Sequence, residues 1–253
     1  MKRVVSTVLL ALVALAIIAL IVLGACLNRI VKNGIQTYGP RLTRTTVSLD
    51  AVHLSLLTGS AKIKGLTVGN PQGYKTPNAI SVGLIAVGLN PLSVLSRKVV
   101  IRSIRLESPE ISFDGGLAGN NLSQILDNVT SAGQGGGTLS TNTAAAPKSE
   151  KRFEVDDLVV TGAKVQVLIR GIRMSRPEII ELPNIHLANL GKGGEGITAA
   201  DLTRRVLAAI SSATLETVAQ TAATLDTNAT NLKQLRRHVM KQFRIAPTNF
   251  FNK

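Results

Sequence analysis

Residues 47–68 read VSLDAVHLSLLTGSAKIKGLTV, and this stretch sets a pattern that later segments repeat. Apolar residues stand at positions 47, 49, 52 and 54, and again at 61, 63, 66 and 68. Alternation places one face of a strand on a core, whereas a two-residue step moves the buried side chains to the other face unless a β-bulge or local twist compensates. The stretch therefore predicts two strands, each bent near its middle.

The same pattern occurs twice more before residue 114. Its apolar positions are Ile80, Val82, Ile85 and Val87, then Val99, Ile101, Ile104 and Leu106. Turn signals at Thr58-Gly59, at residues 70–73 and at Asn90-Pro91 separate the units. We predict a mainly β fold with helices, in which a curled antiparallel sheet forms a groove with one apolar face and one solvated face.

Smaller elements are predicted after the third of these strands. Residues 91–96 indicate a helical turn that begins with proline, and Ile111 and Phe113 indicate a short fifth strand. Residues 120–129 predict a helix with Leu122, Ile125, Leu126 and Val129 on one side. Residues 131–148 are mostly Gly, Ser, Thr and Ala, so they predict a flexible linker that buries little apolar surface.

A second β unit is predicted beyond the linker. The bent-strand pattern returns at Phe153, Val155, Leu158 and Val160, and at Ile180, Leu182, Ile185 and Leu187. A shift of 54 residues superposes Ile101 on Val155, Ile104 on Leu158, Leu106 on Val160 and Ile111 on Val165. This repeat predicts that the second unit extends the first sheet, with a plain alternating strand at residues 163–169.

The amino terminus predicts a membrane anchor. An apolar run extends from Val4 to Leu27, and as a helix it would be about 36 Å long, which exceeds the hydrocarbon core of a bilayer. The run is longer than the apolar region of a cleaved signal peptide. Leu23-Gly24-Ala25-Cys26 resembles a lipobox, so a lipoprotein acylated at Cys26 is the alternative. Cations on both sides of the run leave its orientation undecided.

Two further segments are basic and helical in pattern. Residues 28–46 predict a juxtamembrane helix that ends near Gly39-Pro40, and Thr198 with Asp201 marks the start of an Ala-rich helix. A second, amphipathic helix follows from Asn231. The candidates for contact with a membrane surface are Arg29, Lys32, Lys233, Arg236, Arg237 and Lys241. A solvated face in the first segment, and packing against the protein in the second, are the alternatives.

The composition restricts the classes of partner. The formal charge of +14 favours an anionic partner, either phospholipid head groups or nucleic acid. Aromatic residues make up only 3% of the chain, too few for a base-stacking platform, and no nucleic-acid-binding motif is present. A single cysteine excludes an intramolecular disulfide.

No catalytic, metal-binding or cofactor-binding residues are predicted. His53, His186 and His238 have no cysteine or carboxylate at metal-ligand spacing. Asp156-Asp157 lies on a predicted strand, where neighbouring side chains face opposite ways. The glycines of residues 133–137 lack the Lys and Ser/Thr of a phosphate-binding loop. We therefore expect a protein that is not an enzyme and that needs no cofactor.

The ordered series of motifs resembles the amino-terminal region of the bacterial AsmA-like family. The residues that carry the resemblance are Val47-Ser48-Leu49-Asp50, Leu54-Ser55-Leu56, Gly59, Ile63-Lys64-Gly65-Leu66-Thr67-Val68, Asn70-Pro71, Gly73-Tyr74, residues 99–113, Asn121-Leu122 and residues 153–165. The resemblance implies an inner-membrane protein whose periplasmic part is a curled β-sheet with an apolar groove. The family is similar to bridge-like lipid transfer proteins and is associated with phospholipid traffic toward the outer membrane and with envelope integrity.

The expected organisation combines these elements. It comprises a transmembrane anchor at 1–27, a curled β-sheet unit at 28–130, a flexible linker at 131–150, a second β unit at 151–195 and Ala-rich and basic amphipathic helices at 196–253. This chain is short for the family and adds the helical tail, so one copy is not expected to bridge the periplasm.

Two functions fit these expectations. In the first, a membrane-anchored module binds or transfers phospholipid, and its groove is lined by Leu54, Leu56, Ile63, Leu66, Val82, Ile85, Ile101 and Ile104. The same side chains could instead form a closed core beneath the protein's own helices. In the second, a structural or assembly factor holds envelope proteins or its own copies through a sheet edge or the amphipathic tail.

Overall fold

The computed structural model describes residues 2–116, 119–134, 151–169 and 178–225, which form one mixed sheet and three α-helices. The elements are α1 (Lys2–Thr43), β1 (Val47–Ser48), β2 (Ala51–Ser55), β3 (Ser60–Gly69), β4 (Asn78–Leu89), a 3₁₀ helix (Pro91–Leu95), β5 (Lys98–Glu107), β6 (Glu110–Gly116), β7 (Gly119–Asn120), α2 (Asn121–Gln134), β8 (Arg152–Thr161), β9 (Lys164–Ile169), β10 (Glu178–Glu181), β11 (Ile185–Leu190) and α3 (Ala199–Leu225).

The sheet is a set of six bent strands. Four of these are pairs of elements separated by two or three residues, namely β1–β2, β5–β6, β8–β9 and β10–β11, and the other two are β3 and β4. Their order across the sheet is β1–β2, β3, β4, β5–β6, β8–β9 and β10–β11. The sheet is open, and the short strand β7 pairs with β6.

The predicted change of buried face within each strand is confirmed. In β3, Gly65 has φ of 62°, a left-handed conformation that glycine adopts without strain, and it lies where the apolar positions change parity. Between β4 and β5 the register shifts after Gly88, so β5 has one extra residue opposite β4. These irregularities let residues on both sides of each bend contact the same core.

The expectation of an antiparallel sheet is wrong for two pairings. β5 and β6 run parallel to β8 and β9, because α2 leads away from the end of β6 and the chain re-enters the sheet at the end where β5 begins. The parallel register pairs Ile101 with Val155 and Ile111 with Val165. The 54-residue offset of the sequence repeat is therefore the offset between paired neighbours.

Helices α2 and α3 cover the apolar face of the sheet. The predicted apolar side of α2 is confirmed, since Leu122, Ile125, Leu126 and Val129 are all buried. Helix α2 contacts β6 and α3, and α3 contacts β8 and β11. Helix α2 continues to Gln134, past the predicted start of the linker at 131, and the Thr130 hydroxyl donates to Leu126 O within it.

Helix α1 packs along β2, at one edge of the sheet. It continues through Pro40 to Thr43, so the predicted end near Gly39-Pro40 is wrong by one turn; Thr43 Oγ1 donates to Gly39 O in this last turn. Most side chains of the predicted anchor at residues 1–27 lie outside the described residues. Within the part that is described, no helix was found to be both long and apolar enough to cross a membrane.

The predicted cap of α3 is confirmed. The backbone N–H of Asp201 donates to Thr198 Oγ1 at 3.0 Å, and this hydroxyl donates to Asp201 Oδ2. The predicted second amphipathic helix, with Lys233, Arg236, Arg237 and Lys241, lies outside the described residues, as do residues 135–150 of the predicted linker.

Candidate functional site

Apolar side chains form continuous rows across all six bent strands. The pairing registers align Val52, Ile63, Ile85, Leu106, Val160 and Ile185 in one row. A second row consists of Leu54, Ala61, Val87, Ile104, Leu158 and Leu187. Beyond the bends, Val47, Val68, Ile80, Ile111, Val165 and Ile180 form a third. With six strands about 4.8 Å apart, this face is about 24 Å wide.

Burial of these rows decreases toward one end of the sheet. In the row that contains Ile85, all residues except Ile63 are buried. In the row that contains Ile104, only Ala61 and Leu158 are buried, and the other four residues are half-buried. The half-buried row lies nearer to the β2–β3 turn. The apolar face is therefore closed in its middle and partly accessible near this turn.

The eight predicted groove residues separate into two groups. Val82, Ile85 and Ile101 are buried in the shared core of the sheet and helices, so they line no open surface in this structure. Leu54, Leu56, Ile63, Leu66 and Ile104 are half-buried. Leu56 lies in the β2–β3 turn rather than on a strand. Periodicity identifies the apolar face, but the extent of the covering helices decides which of its residues are enclosed.

The opposite face of the sheet is polar and solvated. The row beside Ile85 on this face consists of His53, Lys62, Ala86, Arg105, Val159 and His186. Lys62 and Arg105 are exposed, and within the described ranges neither has a carboxylate within 4.0 Å. The two faces of the sheet therefore differ in the way that the alternating pattern predicted.

A buried polar network closes the end of the apolar face that lies farthest from the β2–β3 turn. Asp114 Oδ2 accepts hydrogen bonds from the backbone N–H groups of Lys75, at 2.5 Å, and Thr76, at 3.3 Å. Asn121 Oδ1 accepts from the N–H of Asp114, and Asn121 Nδ2 donates to Asn70 Oδ1 at 2.7 Å. Sequence reasoning did not identify Asp114, although Asn70 and Asn121 belonged to the family motifs.

One histidine has a carboxylate partner that the sequence did not indicate. His186 Nε2 is paired with Asp157 Oδ1 across β11 and β8, and both side chains are exposed. No group of three potential metal ligands occurs among the residues whose placement is described. The pair is a solvated contact, which contributes little to stability.

The two described candidates for membrane-surface contact differ in their surroundings. Arg29 is exposed, as predicted for a head-group contact, but Lys32 Nζ donates to the backbone oxygen of Asp50 at 2.6 Å. Asn28 Oδ1, one turn away, accepts from the N–H of Leu54 at 2.7 Å. Lys32 and Asn28 therefore satisfy backbone groups of the edge strand.

One comparison with known proteins gives a match. A family model described as the AsmA family matches residues 1–169, two thirds of the chain. No curated protein and no solved structure matches.

Proposed function

This chain belongs to the AsmA family, and from this premise we propose that it is a membrane-anchored periplasmic module that binds phospholipid and takes part in phospholipid traffic and envelope integrity. The anchor is the apolar segment of α1, in the bacterial inner membrane. Among the leucines of this segment whose burial is described, Leu10, Leu15 and Leu23 are exposed, as lipid-facing side chains would be, and Leu27 is half-buried. The proposed role is passive and needs neither a catalytic group nor a cofactor.

The observation that carries the proposal is the partly accessible apolar row of Leu54, Val87, Ile104 and Leu187. Val87, Ile104 and Leu187 pack against the core while retaining exposed surface, and Leu54 is half-buried in the same row. An acyl chain lying across them would remove this surface from water, which contributes about 0.8 kcal/mol for each methylene group buried. The row is purely apolar, so it would select for hydrocarbon and not for a particular head group.

Covalent capture of lipid at this row would test the proposal. A photo-crosslinking amino acid replaces Ile104 in one variant and Arg105 in the other, in full-length protein that is delipidated and then supplied with labelled phospholipid. The two positions are neighbours on β5 but lie on opposite faces of the sheet. We expect labelled adducts at position 104 and few at position 105. Equal labelling, or none at either position, would contradict a lipid-binding apolar face.

In this proposal, lipid that passes from the accessible row into the closed middle of the face requires movement of α2 relative to α3. A β-carbon added to Gly133 of α2 would lie 3.7 Å from the β-carbon of Ala200 in α3, which is suitable for a disulfide. We expect the oxidised Gly133→Cys/Ala200→Cys variant, with Cys26 replaced by Ser, to take up phospholipid more slowly, and reduction to restore the rate. Uptake that is insensitive to oxidation would show that the helices need not separate there.

A second candidate function is an assembly factor, favoured by a difference between the two sheet edges. The β1–β2 edge is covered by α1, whereas no described strand pairs with the outer edge of β10 or β11. Ile179 in β10 is 68% exposed. An uncovered apolar edge can pair with another copy or with an envelope protein. Sedimentation of the wild type and of Ile179→Lys tests self-association, since a charge on the edge should separate paired copies.

A further inference from the structure

Four segments meet at the end of the sheet nearest the β2–β3 turn, which we call the turn end. They are the turn itself at residues 56–59, the β4–β5 connection at 91–97, the start of β8 at 151–152 and the loop after β11 at 191–196. Lys151 Nζ donates to Val94 O and Ser96 O, and Lys98 Nζ donates to Gly194 O. These bonds join the β4–β5 connection to the start of β8, and the start of β5 to the loop after β11.

Three large apolar side chains of the turn end are unusually exposed. Leu57 is 80% exposed, Leu92 88% and Leu95 68%. Outside α1, the only other large apolar side chain with comparable exposure among the described residues is Ile179, which lies on β10 and away from this end. Single exposed leucines are ordinary, but three at one end of a sheet indicate a surface that is covered by something apolar.

The charged residues of the turn end are predominantly cationic. Its segments contain Arg97, Lys151, Arg152 and Lys192 against one carboxylate, Glu195. Arg97, Lys151 and Lys192 are exposed. A combination of leucines and cations matches a bilayer interface, where apolar side chains enter the acyl boundary and cations approach the phosphates.

Helix α1 approaches this same end of the sheet. A β-carbon on Gly39 would contact Val47, Lys32 bonds Asp50, and Asn28 bonds Leu54, so α1 runs antiparallel to β1 and β2. The residues before Gly24 therefore continue past Leu54 in the direction of the β2–β3 turn. As 22 helical residues they extend about 33 Å.

We infer that the turn end is a membrane-contact surface, which lies on an anionic phospholipid bilayer at the place where α1 enters it. Leu57, Leu92 and Leu95 insert at the interface, and Arg97 and Lys192 contact head-group phosphates. The partly accessible apolar row then opens toward the bilayer. The inference rests on the anchoring part of the proposed function and not on lipid binding within the sheet, because an anchored scaffold would be oriented in the same way.

Depth-dependent quenching in vesicles tests this inference. Replacing Cys26 with Ser removes the one native thiol, and a cysteine at position 57, 92 or 95 then carries a fluorophore. Ile179→Cys is the matched control, because Ile179 and Leu95 are both 68% exposed. The full chain is reconstituted in vesicles of phosphatidylcholine and phosphatidylglycerol that contain a nitroxide lipid. We expect about twofold or greater quenching at the three turn-end positions relative to position 179.

The second measurement tests whether the cations of the turn end contact anionic head groups. Arg97→Gln with Lys192→Gln should reduce quenching at position 92 in vesicles that contain phosphatidylglycerol and leave it unchanged in pure phosphatidylcholine. Equal quenching at positions 92 and 179 in protein that floats with the vesicles would overturn the inference while leaving anchoring and lipid binding intact. Protein that does not float with vesicles would overturn both the anchor and this surface. The crosslinking experiment at position 104 would still test lipid binding by the apolar face independently.

Discussion

The two ends of the apolar face are built differently. At the far end, Asp114 and Asn121 are 2% and 0% exposed and hold the β3–β4 loop against the start of α2. At the turn end, Val87 and Ile104 are half-buried and Leu57 and Leu92 extend into solvent. Both ends belong to the same six bent strands, so the difference comes from what closes each end and not from the strands themselves.

This difference predicts that stability and the proposed binding depend on different ends of the sheet. Buried polar groups that are fully hydrogen-bonded fix a single arrangement, because any alternative leaves donors or acceptors without partners. Half-buried apolar side chains impose no such requirement, and a ligand or a membrane can replace the water around them. We therefore expect changes at the far end to affect folding, and changes at the turn end to affect binding.

The largest expected effect is on the far end. Asp114→Ala removes a buried carboxylate that accepts from two part-buried N–H groups, so it should lower the free energy of unfolding by about 3 kcal/mol. Asp114→Asn keeps one acceptor oxygen and should lose less. Denaturant unfolding followed by circular dichroism measures both variants.

The control for this prediction is on the same strand. Glu110→Ala removes an exposed carboxylate from β6 and should change stability by less than about 0.5 kcal/mol. If Asp114→Ala were as stable as Glu110→Ala, the network would not be what closes the far end.

A matched pair of truncations should show a smaller difference between the ends. Ile111 is 1% exposed and Ile104 is half-buried, and both lie on the bent strand β5–β6. We expect Ile111→Ala to cost about 3 kcal/mol and Ile104→Ala about half as much, because the second leaves a smaller cavity. Only Ile104→Ala should weaken lipid capture. Equal losses of stability would mean that the two ends are packed alike.

The bent strands could be predicted because the information is local. The apolar side chains of a strand lie on the face that the core covers. When that face changes, as at Gly65, the parity of the apolar positions changes within a few residues. The cap at Thr198 and the buried side of α2 are local in the same sense. The parallel pairing was not predicted, since the choice of neighbouring strands depends on the path of the connection through α2.

The sequence predicts the apolar face of the sheet, but it does not predict which residues of that face are accessible. Ile85 and Ile104 satisfy the same pattern, yet one is buried and the other half-buried, because the extent of coverage by α2 and α3 is a tertiary property. Asp114 contacts Lys75 across 39 positions of sequence, so no spacing pattern could reveal it. The turn end was missed for a related reason, because parallel pairing brings the start of β8 beside the β4–β5 connection.

The smallest predicted effect concerns Asp127 on α2, next to the contact of α2 with α1, where Asn128 Nδ2 donates to Thr43 O. Burial raises the pKa of Asp127 above its usual 3.8, so the folded protein holds this proton more tightly than the unfolded chain does. The stabilising contribution of the protonated form is complete below pH 3.8 and is lost as the pH rises through the folded pKa.

Asp127→Asn, which stays neutral, should therefore raise the melting temperature slightly at pH 7 and leave it unchanged near pH 3. The gain should stay within about 0.5 kcal/mol because solvent reaches the carboxyl group. A loss of stability at pH 7 would instead show that the ionised carboxylate makes a favourable contact at the junction of the two helices.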